Sequence, residues 1–208
     1  LTAPFLETPL MDVADWAASA GFEVLEVACW PRGSGVDRRY AGTSHIDVTD
    51  LSDAQAQDIV SELEAKGISV SGLGYYPNPL HPDPAHRERV IGHLRHVISA
   101  ARKMGVPVVN TFMGADASKN PDENWQEALR VWPDIVRHAQ DSGVTIGIEH
   151  CSMLFTYDEW PAGHSLAYSP RQWRRILEQW AGTVGMNFDP SHLVWQMLDA
   201  ERFITEFG

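Results

Sequence analysis

Gly143-Val144-Thr145-Ile146-Gly147-Ile148-Glu149 decides the fold, and Gly182-Thr183-Val184-Gly185-Met186-Asn187-Phe188-Asp189 repeats its design. Each stretch is a glycine, then a short apolar run, then an acid. Glycine just past a helix takes the left-handed cap conformation at little cost. Short runs rich in Val and Ile suit strands buried in a parallel sheet. Outward from these two, the same unit recurs at Gly21, Gly67 and Gly105, so the five glycines are spaced by 46, 38, 38 and 39 residues. The pattern predicts strands over Glu23–Ala28, Ile68–Leu73, Pro107–Phe112, Val144–Glu149 and Val184–Asp189.

Helices fill the intervals. Asp83-Pro84 and Ser169-Pro170 each supply an N-cap followed by proline at the first helical position, and Thr8-Pro9 opens a first helix in the same way. Val90, Ile91, Leu94, Val97, Ile98 and Ala101 form one apolar stripe at helical spacing. Leu129, Trp132, Ile135, Val136 and Ala139 form another, and Trp173, Ile176, Leu177 and Trp180 a third; these tryptophans read as core packing. Strand alternating with helix five times means an α/β architecture with parallel strands.

Two such architectures compete. An open doubly wound sheet would be complete in 208 residues, but its dinucleotide fingerprint G-x-G-x-x-G is absent. A (β/α)8 TIM barrel needs about 250 residues. The ends of the chain favour the barrel. Leu1–Phe5 reads as the tail of a first strand, Asp199–Phe207 as a sixth helix, and Gly208 as its capping glycine. The expectation is a single TIM-barrel domain over residues 1–208, truncated to six of eight units, with the seventh and eighth strands absent.

Composition narrows the function classes. Hydrophobic residues make 44% of the chain and charged residues 21%, an ordinary globular balance. No run of 18 apolar residues occurs, so no membrane partner is expected. Sixteen Lys and Arg against 28 Asp and Glu give a net charge of −12, which disfavours nucleic acid through the overall field. Two cysteines, Cys29 and Cys151, make no disulfide framework and suit a cytoplasmic setting.

Loops after strands are long, especially Cys29–Ser52 and His150–Ser169, whereas loops before strands are short. In α/β proteins the long ones build the sites. Glu149 and Asp189 each end a predicted strand and lie 40 residues apart, one repeat unit. Neighbouring parallel strands are about 4.8 Å apart. Alternation aims Thr145, Gly147 and Glu149 inward, with Gly185, Asn187 and Asp189 in the next strand. Two carboxylates so close repel unless a cation lies between them, and a divalent metal is the usual answer. Separate salt bridges, or an N-cap at Asp189-Pro190, are the alternative. His192 shares this rim and would either bind metal or hydrogen-bond a substrate hydroxyl.

Gly147-Ile148-Glu149-His150 and Asn187-Phe188-Asp189-Pro190-Ser191-His192-Leu193 resemble the fifth and sixth strand ends of the xylose isomerase-like TIM-barrel superfamily, and within it the sugar phosphate isomerase/epimerase group. Gly21-Phe22-Glu23-Val24-Leu25-Glu26-Val27 and Tyr75-Tyr76-Pro77-Asn78-Pro79-Leu80 agree, so the resemblance covers essentially the whole chain. It implies one divalent metal, manganese first, with magnesium, cobalt or zinc as alternatives. Glu149 and Asp189 match two of its ligands. A His from the seventh strand and a Glu from the eighth would lie beyond Gly208. Glu149 also matches a catalytic acid/base, and His192 a residue that contacts substrate oxygen. His150 stands where many relatives carry Asn. The implied activity of the full-length protein is isomerisation or epimerisation of a sugar or sugar phosphate, by proton abstraction beside a carbonyl through an enediolate. Dehydration of a polyol or keto-inositol is the alternative enzyme, and a non-catalytic carbohydrate-binding barrel or inactive fragment the alternative of another class. Phosphodiester cleavage would need a basic DNA face, which −12 opposes.

Weaker candidates line the same rim. Trp30, Tyr75 and Asn110 could bind substrate, as could Asn78, by stacking on sugar faces or bonding hydroxyls. Glu26 is predicted to point into a buried polar layer. His150–Ser169, with Phe155, Tyr157, Trp160, His164 and Tyr168, reads as a lid or as a contact in a homo-oligomer. His86, His93 and His96 read as a solvated helix face.

Overall fold

The computed structural model describes residues 1–33, 42–152 and 165–208. Strands β1 (Val24–Ala28), β2 (Ser69–Gly74), β3 (Val108–Thr111), β4 (Thr145–Glu149) and β5 (Val184–Asn187) form one sheet in the order β1-β2-β3-β4-β5. β1 with β2 and β4 with β5 run parallel. Sequential order without reversal separates the two architectures: a doubly wound sheet turns back at a switch point, whereas a barrel adds each strand beside the last. Helices α1 (Leu10–Ser19), α2 (Asp53–Ala65), α3 (Pro84–Met104), α4 (Pro121–Ser142), α5 (Pro170–Gln179), α6 (Pro190–Trp195) and α7 (Ala200–Phe207) complete the described chain. Among the described residues no helix is long and apolar enough to cross a membrane.

The chain divides into two compact units. The first holds residues 1–76, 92–109 and 141–144. Its core packs Val13, Ala14, Ala17, Val27, Leu63, Leu73, Leu94 and Ile98, all essentially solvent-free. Leu1–Phe5 is not a strand. The Thr2 amide donates to the Glu26 carbonyl at 2.9 Å, and the Thr2 hydroxyl accepts the Ala28 amide at 2.9 Å. The Thr2 carbonyl turns away to accept the Phe5 amide at 3.1 Å, so the hydroxyl stands in for it toward Ala28, and Pro4 has no amide to donate to the next rung. Pro9 sits at the N-cap of α1 rather than inside the first turn. Ser52 caps α2 through a reciprocal box with Gln55, which satisfies two otherwise orphaned amides.

The second unit holds residues 77–91, 110–140 and 145–208. Trp132 and Trp173 are buried as expected, and each indole N–H is satisfied, by the Met113 carbonyl at 3.1 Å and the Ala167 carbonyl at 2.7 Å. Asn78 bridges two loops: its amide donates to the Ala115 carbonyl, and its oxygen accepts the Leu80 and Ala115 amides. Gly114, at φ 78°, faces that oxygen where a Cβ would stand 2.3 Å away, so only glycine fits.

β5 ends two residues before its predicted end. Glu149 pairs with Asn187, not with Asp189. Asp189 has left the ladder to become the N-cap of α6, its Oδ1 accepting the Ser191 amide at 2.8 Å, with Pro190 at the first helical position. The equivalence of the two acids as strand ends is therefore corrected. α6 closes with the amides of Met197 and Leu198 donating to the carbonyls of Val194 and Leu193, which puts Met197 at φ 55°, the single non-glycine positive φ among the described residues.

Candidate metal and acid/base site

Glu149 enters the site because β4 alternates. Ile146 and Ile148 are fully buried on one side of the strand, which leaves Glu149 on the other at its C-terminal end, 8% exposed. Asn187, its neighbour in register, donates Nδ2–H to Glu149 Oε2 at 2.7 Å. Glu149 Oε1 faces His192 Nε2 at 3.0 Å, and Asp189 Oδ2 lies 3.6 Å from the same nitrogen. Three residue types able to ligate a metal thus converge from β4, the β5–α6 turn and the first turn of α6. One donor atom from each of Glu149, Asp189 and His192 lies within 4.8 Å of the others.

The electrostatics follow from this packing. Burial alone would drive His192 toward its neutral form, but hydrogen bonds to Cys151 and Glu149, with electrostatic attraction toward the same two groups, more than offset it, raising its pKa to about 10. Without a metal, His192 is therefore an imidazolium held between two acids. Burial works the other way on Asp189, where the Ser191 hydroxyl and amide, then the charge of His192, hold the carboxyl below its usual range. Fully buried His150 is pushed down to about 4, first by burial and then by the charge of His192, with Asp189 opposing.

Two carboxylates and an imidazole form a donor set that fits a divalent cation of the manganese-to-zinc series. The fit is chemical: two oxygens bring the negative charge, and the imidazole brings a nitrogen once its proton is gone. Asp189 does two jobs here, since Oδ1 caps α6 while Oδ2 faces the cluster. The two readings of Asp189 as cap or as ligand are compatible in one side chain.

The remaining predicted residues are distributed between the units. Asn110, in the half of β3 that belongs to the second unit, is 8% exposed. Trp30 and Tyr75, in the first unit, pack edge to face at 5.7 Å, and Trp30 also stacks on Tyr76 at 5.9 Å. Tyr75 lies against His93 with ring centres 4.6 Å apart, and its burial raises its hydroxyl pKa. His93 is 8% exposed and hydrogen-bonded to the Cys29 carbonyl at 2.7 Å, which corrects its assignment to a solvated face. Its apolar neighbours on α3 turn that side of the helix inward. Glu26 accepts a hydrogen bond from Tyr76, in keeping with a polar layer. Cys29 and Cys151 are buried and are not joined in a disulfide. The expected lid or oligomer contact falls largely on residues 153–164, which lie outside the described residues; Tyr168 is described.

Two residues of this site were not among the candidates. Asn187 shared the inward parity of Asp189, and that parity was the signal. His150 stood out only as a departure from the Asn of many relatives, with no role attached: its Nε2 accepts the Asp189 amide at 3.0 Å, a contact that depends on the register between two strands.

Comparison with known proteins shows the family and the fold. The family described as xylose isomerase-like TIM barrel matches residues 14–208. The uncharacterized protein YfiH of Bacillus subtilis (strain 168) is 23% identical over 229 aligned positions, covering 96% of this chain and 66% of YfiH. The crystal structure of D-psicose 3-epimerase with D-tagatose, from Clostridium cellulolyticum H10, superposes with a TM-score of 0.66 at 18% identity, over 91% of this chain and 61% of that one. The structure of IolI with a bound zinc atom gives a TM-score of 0.66 at 15% identity, over 95% of this chain and 63% of that one. The chain thus spans a little under two thirds of the length of these relatives. It belongs to the xylose isomerase-like TIM-barrel family.

Proposed function

We propose that the protein carrying this chain is a divalent-metal-dependent isomerase or epimerase of a small sugar or sugar phosphate. The convergence of Glu149, Asp189 and His192 within 4.8 Å carries the reading. The epimerase and zinc-bound relatives are consistent with it. A divalent cation, when bound, supplies a Lewis acid that polarises a carbonyl and offsets negative charge developing on its oxygen. Glu149 and Asp189 would hold it through Oε1 and Oδ2, with His192 Nε2 as the third donor or as a contact to a substrate hydroxyl.

Proton removal beside a carbonyl needs a carboxylate that is close and correctly aimed. Glu149 meets the second demand, because Asn187 fixes one oxygen and leaves the other facing the cluster. Glu149 would take the α-proton and return it to the neighbouring carbon of the enediolate while one hydroxyl proton passes from oxygen to oxygen, an isomerisation with no net redox change; inversion at a single carbon instead needs a second acid on the opposite face of the enediolate.

The test is solvent exchange. The full-length protein, loaded with Mn²⁺, is incubated in D₂O with a panel of ketoses and followed by NMR. Deuterium should enter beside the carbonyl and epimer or isomer should accumulate. Glu149→Gln should abolish both while the fold is retained. A Glu149→Gln variant that exchanges at the wild-type rate would overturn the acid/base assignment.

A further inference from the structure

His150 is a fully buried polar side chain of the second unit that the proposed chemistry does not use. It is 0% exposed. Its ring sits among Phe203 at 4.8 Å, Trp173 at 5.4 Å and Phe188 at 6.2 Å, and meets His192 edge-on at 5.6 Å and 89°. Its hydrogen bond across the strand ends is unusual in direction. The Asp189 amide donates to Nε2 at 3.0 Å, so Nε2 bears no proton and the neutral ring carries its hydrogen on Nδ1. That Nδ1 is itself buried without a well-formed partner. An apolar residue would fill the same aromatic pocket without stranding a donor, so packing alone does not explain a histidine here.

The bond spans the two strand ends that build the site. His150 follows Glu149 directly, while Asp189 sits two residues past Asn187, the register partner of Glu149. Having left the ladder, the Asp189 amide has no strand to bond to, and the imidazole takes it. With the amide pinned by His150 and Oδ1 pinned by the Ser191 amide, Oδ2 is left toward His192 and Glu149. We propose that His150 is a positioning residue, a neutral imidazole that sets where the Asp189 carboxylate stands and thereby sets the affinity of the cluster for a divalent cation. The inference rests on the metal reading above.

It can be tested without turnover. Dissociation constants for Mn²⁺, by electron paramagnetic resonance, and for Zn²⁺, by competition, are compared for wild type, His150→Phe and His150→Gln. Phe keeps a ring in the aromatic pocket and removes the acceptor. Gln places an amide oxygen near the position of Nε2. Loss of an outer partner of a ligand typically costs about 10–100-fold in metal affinity. His150→Phe should fall in that range, and His150→Gln should recover to within about threefold of wild type by the same reasoning. The tautomer is read separately, from ¹⁵N shifts of the wild-type imidazole near neutral pH, which need no folded variant. A Nδ1–H tautomer with Nε2 shifted as an acceptor is expected. A Nε2–H tautomer, or wild-type affinity in a folded His150→Phe, overturns the role of His150 alone. A wild type that binds neither Mn²⁺ nor Zn²⁺ overturns the metal reading and this inference with it.

Discussion

Binding of a divalent cation to Glu149, Asp189 and His192 should expel one proton. In the metal-free chain His192 titrates at about 10 and stands 3.0 Å from Glu149 and 3.6 Å from Asp189. At pH 7.5 the neutral, ligating form is then only about one molecule in 300. A cation that needs this nitrogen binds about 300-fold more weakly than it would to a preformed neutral site. Each unit of pH below 10 changes the neutral fraction tenfold, so affinity should rise about 100-fold between pH 6.5 and 8.5. The measurement is titration calorimetry with Mn²⁺ at three pH values, each in two buffers of different ionisation enthalpy. The buffer difference counts released protons, and the expected count is close to one. His192→Gln should flatten the pH slope while Glu149 and Asp189 still bind. A proton count near zero with a flat slope in the wild type would refute the picture of an imidazolium displaced by metal.

Stability should pass through an optimum near pH 6.5 in the metal-free chain, read from thermal melts. His192 is raised, so its contribution is complete below its unfolded value near 6.5 and lost as pH climbs through about 10. His150 is lowered, so its contribution is present above that value and lost as pH falls through about 4. A monotonic profile across pH 4 to 10 would contradict this opposed pair. Met197→Gly should stabilise by about 1 kcal/mol in urea unfolding, because a left-handed backbone is costly for any side chain and this one, 94% exposed, packs against little. Gly114→Ala should destabilise by about 2–4 kcal/mol in the same assay, since its Cβ would meet Asn78 Oδ1 at 2.3 Å and break the bridge to Ala115; a neutral result would mean the loop gives way easily.

The repeat of capping glycines made the parallel architecture legible, and the parity of β4 put Glu149 on the correct side. Both depend on local rules that act within a few residues. Misread features were those settled by competition between neighbours. Asp189 could end a strand or begin a helix, and Pro190, which has no amide and fits a first helical position, tips it toward the helix. Leu1–Phe5 had strand-like composition, but Pro4 interrupts the ladder and Thr2 bonds by its side chain. His93 shared a helix with two other histidines, yet the stripe through Val90, Leu94 and Val97 carries it inward. His150 lay beyond local reading altogether, because its partner is a backbone amide on another strand end.

Asp189 binds the fate of the turn to the fate of the site. One carboxylate starts α6 through Oδ1 and faces Glu149 and His192 through Oδ2, so its loss would damage folding together with any binding there. Glu149 carries no comparable structural duty. In a lineage that gave up catalysis, selection for a foldable turn would therefore keep the Asp-Pro pair long after the glutamate had drifted. Among relatives of unknown activity, Glu149 is accordingly the informative marker of a working centre, and retention of Asp189 by itself is evidence only of an intact turn.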